Sequence, residues 1–109
     1  MSWLMLLSYF FGGLFFANAI PHVVSGMMGK SFQSPFANPP GKGLSSSTIN
    51  VLWGFFNIFI GYLLVYHVGD FTLKNTTDVT SFGIGAFLIS LFSAQHFGRF
   101  NGGNEARRS

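Results

Sequence analysis

The stretch WLMLLSYFFGGLFFANAIPHVV, Trp3 to Val24, decides the fold class. It carries no charged residue and is long enough to cross a bilayer, for which about 20 apolar residues suffice. Two further runs follow. One goes from about Ile49 to Val68, and a charge-free one from about Val79 to Gly98. Composition agrees with a chain solvated by lipid. Charged residues make up 8% and apolar residues 49%, with fifteen Phe among 109 residues. A soluble domain carries about 25% charge, and so short a chain has too little interior to hide this much hydrocarbon. The reading is an all-α membrane protein in one domain, with spans at about 3–24, 49–68 and 79–98. A loop at 25–48 and a disordered tail at 99–109 complete it.

Other readings of the N-terminus and the basic residues fall away. Ala17-Asn18-Ala19 imitates a signal-peptide cleavage site, but MSW has no basic residue and the apolar run is long. The segment is therefore expected to be a retained span. With no cysteine, disulfides and thiolate metal sites are excluded. Six Lys and Arg spread over two loops and a tail are too sparse for a nucleic-acid surface. Their distribution sets a direction instead. Lys30, Lys42, Arg99, Arg107 and Arg108 share one face, whereas Lys74 sits on the other beside Asp70 and Asp78. The positive-inside rule then puts the N-terminus outside and the C-terminus in the cytoplasm.

The first loop, SGMMGKSFQSPFANPPGKGLSSSTIN, holds two Gly-Lys pairs. A nucleotide-binding loop needs a glycine five residues before Gly29, where Val24 stands, and a preceding strand. Neither is present. The loop is longer than a helix hairpin needs, keeps Phe32, Phe36 and Leu44, and is stiffened by Pro35, Pro39 and Pro40. We expect an ordered flap, with the Ser45–Thr48 run capping the second span and Thr77 or Asp78 capping the third.

Polar residues inside the spans fall into stripes. Asn50, Gly54, Asn57 and Gly61 share one face of the second span; Asn18, His22, Ser25 and Gly29 repeat the spacing in the first; Gly83, Ala86, Ser90 and Ser93 do so in the third. In lipid, helices associate through small residues and hydrogen bonds, so stripes of this kind are packing faces first. Depth adds a sharper expectation. His22, Asn50, Trp53, Gln95 and His96 fall at one level beneath the flap and, with Asn18, Ser25 and Asn57 of the stripes, form a candidate ligand site. His67 falls on the opposite side. Pro21 should kink the first helix and free the carbonyl of Ala17, which Asn18 or a neighbouring helix would then satisfy.

Residues 18–57, NAIPHVVSGMMGKSFQSPFANPPGKGLSSSTINVLWGFFN, resemble a stretch of small bacterial integral-membrane proteins. PH, SPFANPPGKGLSS and NVLWG carry the resemblance. It implies a bacterial inner-membrane location and brings no activity with it.

Three functions stay open. The first is a non-enzymatic accessory or ligand-binding subunit, self-associated or part of a larger membrane complex. The second is a minimal oligomeric channel or transporter lined by the Asn stripe. The third is a redox subunit binding quinone or haem, with His22 and His96 as the only candidate metal ligands. No cofactor is called for, and nothing resembling a catalytic triad or nucleophile elbow points to an enzyme.

Overall fold

The structure is a computed structural model and describes residues 2–105. It consists of three long helices: α1 (Trp3–Met27), α2 (Ser47–Leu63, continued by a π-helical stretch Leu64–Val68) and α3 (Thr76–Asn101). All three are long and apolar enough to cross a membrane. Between α1 and α2 lie two short antiparallel strands, β1 (Phe32–Gln33) and β2 (Leu44–Ser45), with Phe32 opposite Ser45 and Gln33 opposite Leu44. A 3-10 turn, Gly103–Glu105, closes the described chain.

Each helix starts where a side chain can take up its free N–H groups. Ser2 Oγ accepts from Met5 N, and Ser46 Oγ accepts from Ile49 N, each at 3.2 Å. For α3 the cap is Asn75, whose Oδ1 accepts from Thr77 N and Asp78 N. That corrects the expectation of Thr77 or Asp78 as the cap, and it starts the helix before residue 79. As a consequence Asp78 is no loop residue: it is 2% exposed in the first turn, its Oδ2 accepting from Thr72 N at 3.2 Å. Helix α3 also outlasts its expected end. It runs to Asn101 and stops at Gly102, whose φ of +88° favours glycine. The tail is therefore ordered through Glu105, with Asn104 Nδ2 donating to the Gln95 carbonyl at 2.8 Å. Residues 106–109, where Arg107 and Arg108 fall, lie outside the described residues.

Helix α1 is the centre of the molecule. Helices α2 and α3 pack on it from two sides and scarcely touch each other, which makes a flat body of 42 × 33 × 22 Å. Both seams depend on missing side chains. A Cβ on Gly85 of α3 would overlap the carbonyl of Phe10, and one on Gly13 would overlap that of Phe82. Toward α2, a Cβ on Gly54 would collide with Val23, and one on Gly26 would lie 2.6 Å from the Ser47 carbonyl oxygen. Such close backbone approach is how helices gain dispersion energy where lipid removes any hydrophobic drive. The expected stripe of α2 is the packing face: Asn50, Gly54, Asn57 and Gly61 are its buried residues. The expected stripe of α3 is not. Gly83 meets nothing and Ser90 is exposed, while Gly85 makes the contact. In α1, Gly29 lies beyond the helix end with nothing near it, and Gly12, Gly13 and Gly26 do the packing.

At the end away from the flap, Tyr9 Oη accepts from Asp70 N at 2.9 Å and Ser81 Oγ donates to the Leu6 carbonyl at 2.6 Å. Gly85→Ala should lower the thermal unfolding midpoint in mild detergent, costing about 1–3 kcal/mol by overpacking. Gly83→Ala should leave the midpoint unchanged or raised. Equal midpoints for the two variants would contradict the seam.

Candidate functional site

Asn50 sits in the first turn of α2, directly under the strand pair. Its Nδ2 lies within hydrogen-bond distance of three backbone carbonyls, those of Phe32 (3.1 Å), Ser45 (3.2 Å) and Ser46 (3.1 Å), so one of its two N–H groups is shared between two acceptors. That orientation leaves Oδ1 as the acceptor toward His22, 2.7 Å from Nδ1. His22 therefore carries its proton on Nδ1, an assignment made by the network. Asn50 is fully buried and His22 is 2% exposed.

Aromatic rings wall the imidazole. Phe32, Phe97 and Trp53 stand edge-on at centroid distances of 5.5, 6.0 and 6.4 Å. Below this level, Asn18 Nδ2 donates to Asn57 Oδ1 at 3.1 Å, and Asn57 Nδ2 donates to the Trp53 carbonyl at 2.7 Å. Asn18 thus spends its amide on α2. The expectation that it would serve the Ala17 carbonyl finds no such bond, and α1 continues as helix through Pro21.

His96 reaches the loop from α3. Its Nε2 donates to the Gly41 carbonyl at 2.7 Å, and its ring stacks on Phe92 and packs against Phe97. The loop is fastened a third time by Asn101 Nδ2, which donates to Gln33 Oε1 at 3.0 Å. Internally Ser34 and Ser45 share a hydroxyl bond, and the Ser34 carbonyl accepts from Gly41 N at 2.8 Å. The flap is thus an ordered strap across one end of the helices.

The eight candidate residues divide. His22, Asn50 and Trp53 meet, Asn18 and Asn57 pair beneath them, and His96 joins through Phe97 and the strap. Gln95 is exposed and takes part through its carbonyl alone. Ser25 lies inside α1 and gives its carbonyl to Lys30 N at 2.9 Å. Gln33, Ser34 and Asn101 belong to the fastening and escape sequence reasoning, since a polar residue in a loop or tail carries no sign of its partner. Among the described residues no three His, Asp or Glu gather as a metal site.

Chemically the cluster is a latch. His22, Asn50 and Asn57 are buried and each is bonded to a protein partner, while the Trp53 indole N–H is buried without an acceptor. Open space lies beside it. A groove of about 330 Å³ between α1 and α3 is walled by Ala17, Pro21, Phe32, Ser90, Ser93 and Phe97. A second, of about 390 Å³, lies along α2 and the strap, between Phe36, Leu52, Trp53 and Phe56.

Helices and latch together define a class: a three-helix membrane-spanning protein whose first loop is locked down onto its helix ends. No family model, curated protein or solved structure matches the chain, so no relative's activity is available to carry over.

Asn50→Ala should strip partners from the loop carbonyls and from His22. A cost of at least about 2 kcal/mol is expected, because buried unpaired groups are expensive. Limited proteolysis should then cut between residues 34 and 44, where the parent chain resists. His96→Phe keeps the ring packing and should cost only about 1 kcal/mol. A protease-resistant loop in Asn50→Ala would refute the latch.

Proposed function

We propose that this chain is a non-enzymatic subunit of a membrane assembly, built to associate through its helix faces with further copies of itself. One observation carries the reading. Helix α3 uses one side against α1 and leaves its small-residue side, with Gly83 and Ser90, open and untouched by α2. A surface of small residues lets a second helix approach closely, which is what drives association in lipid. The outward rings and aliphatic chains, such as Phe55, Phe59, Phe87 and Leu91, suit the same setting.

We place the protein in a bacterial inner membrane with the strap and the C-terminal end of α3 in the cytoplasm. Exposed Lys30, Lys42 and Arg99 at the strap end support that direction. A pore along the asparagine stripe would need Asn57, fully buried and bonded to Asn18, to turn outward, and that bond weighs against it.

The chain contains no cysteine, so single-cysteine variants report cleanly. Ser90→Cys and Gly83→Cys should form disulfide dimers in native membranes under mild oxidation, whereas Phe59→Cys on α2 should form few. A monomer in detergent with no cross-link at either α3 position would overturn the self-association reading. A C-terminal reporter active only outside the cytoplasm would overturn the orientation.

A further inference from the structure

We propose that the groove between α1 and α3 at Pro21 binds the head of a single-ring phenol or quinol whose apolar tail runs into the bilayer. The groove lies outside the latch but shares Ser90 with the α3 face proposed for self-association, so binding is read on nanodiscs holding a single chain.

Proline has no N–H, so Pro21 cannot donate to the carbonyl of Ala17 four residues back. Ala17 and Pro21 both line the groove, which places this gap in the helical ladder in its wall. Across from them α3 supplies two hydroxyls. Ser90 Oγ donates to the Ala86 carbonyl at 2.6 Å and keeps lone pairs to accept with, and Ser93 lies one turn further on. Where the groove opens toward hydrocarbon, just inside the membrane boundary, an acceptor and hydroxyls are short of water partners. A bound group should therefore bring both an O–H donor, for Ala17, and an oxygen acceptor, for Ser93.

Shape narrows the class. Phe32 and Phe97, whose ring centroids are 4.7 Å apart, line the groove together with Pro21. Ring edges and a flat saturated ring suit an aromatic disc, with the offset or edge-on geometry that aromatic pairs prefer. A volume of about 330 Å³ is at the small end for a ligand site and suits one six-membered ring rather than a fused system. Ile20, 60% exposed at the rim, marks where a hydrocarbon tail leaves for the membrane. A phospholipid ester fits less well, because its carbonyls accept and none donates to Ala17.

The same two rings link this groove to the latch. Phe32 and Phe97 both pack edge-on against His22, so a disc seated on them rests on the wall of the His22–Asn50 pair.

The test uses the full chain in phosphatidylcholine nanodiscs, titrated calorimetrically with para-decylphenol and with decylbenzene. The phenol should bind saturably, one per chain, while decylbenzene should only partition. Ala94 also lines the groove, and Ala94→Leu, which fills it, should abolish saturable binding. Ser93→Ala should weaken it about fivefold, the worth of one hydrogen bond. Pro21→Ala is the sharpest variant. It restores the helical N–H to Ala17, so the thermal midpoint should hold or rise while affinity falls about fivefold. Phe56→Leu, in the other groove, should change nothing. Saturable uptake of decylbenzene equal to that of the phenol would overturn the proposal. So would unchanged affinity in Pro21→Ala, or the absence of saturable phenol binding.

Discussion

One carboxamide, that of Asn50, holds the flap end of the molecule together. A hydrocarbon solvent offers nothing to a bare carbonyl, so the polar backbone of a loop at the membrane boundary has to be answered from within the protein. Asn50 does this for Phe32, Ser45 and Ser46 with its N–H groups, and engages His22 with its oxygen. Helices α1 and α2 are thereby joined to the strap at a single residue. The rings of Phe32, Phe97 and Trp53 then dry the site, which strengthens each bond in it. The other fastenings, from His96 and Asn101, extend the same arrangement to α3.

Along the helices a different rule applies. Burying Leu against Leu gains little when lipid is equally apolar, so the seams are made where glycine lets backbones approach. Gly13 and Gly85 serve one side of α1, Gly26 and Gly54 the other. Eight of the fifteen Phe, among them Phe11, Phe55, Phe59 and Phe87, face outward, while Phe16 packs into the seams beside Gly61 and Phe82, so the protein holds its rings without a conventional core.

Much of this was legible in the sequence because the bilayer imposes strong regularities. Three charge-free runs of sufficient length define three spans, and the Asn50–Gly61 stripe correctly marks the inner face of α2. The common level of His22, Asn50 and Trp53 follows from counting residues along antiparallel helices. What was hidden depends on direction and on distant partners. Helix α3 offers both Gly83 and Gly85, two residues and roughly half a turn apart, and only the position of α1 selects between them. Asn75 outcompetes Thr77 and Asp78 as a cap because its Oδ1 reaches two N–H groups at once. Gln33 and Asn101 are separated by most of the chain, and no local pattern announces their bond.

The near absence of contact between α2 and α3 has a mechanical meaning. The two outer helices behave as leaves on a common spine, tied to each other at one end by the strap and at the other by the turn through Asp70 and Asn75. Between those ties neither braces the other. A torque applied to one leaf by a neighbouring protein or a change in bilayer thickness therefore travels through α1 or through the strap. The hydrogen bonds of His96 and Asn101 set how much of it the far leaf feels.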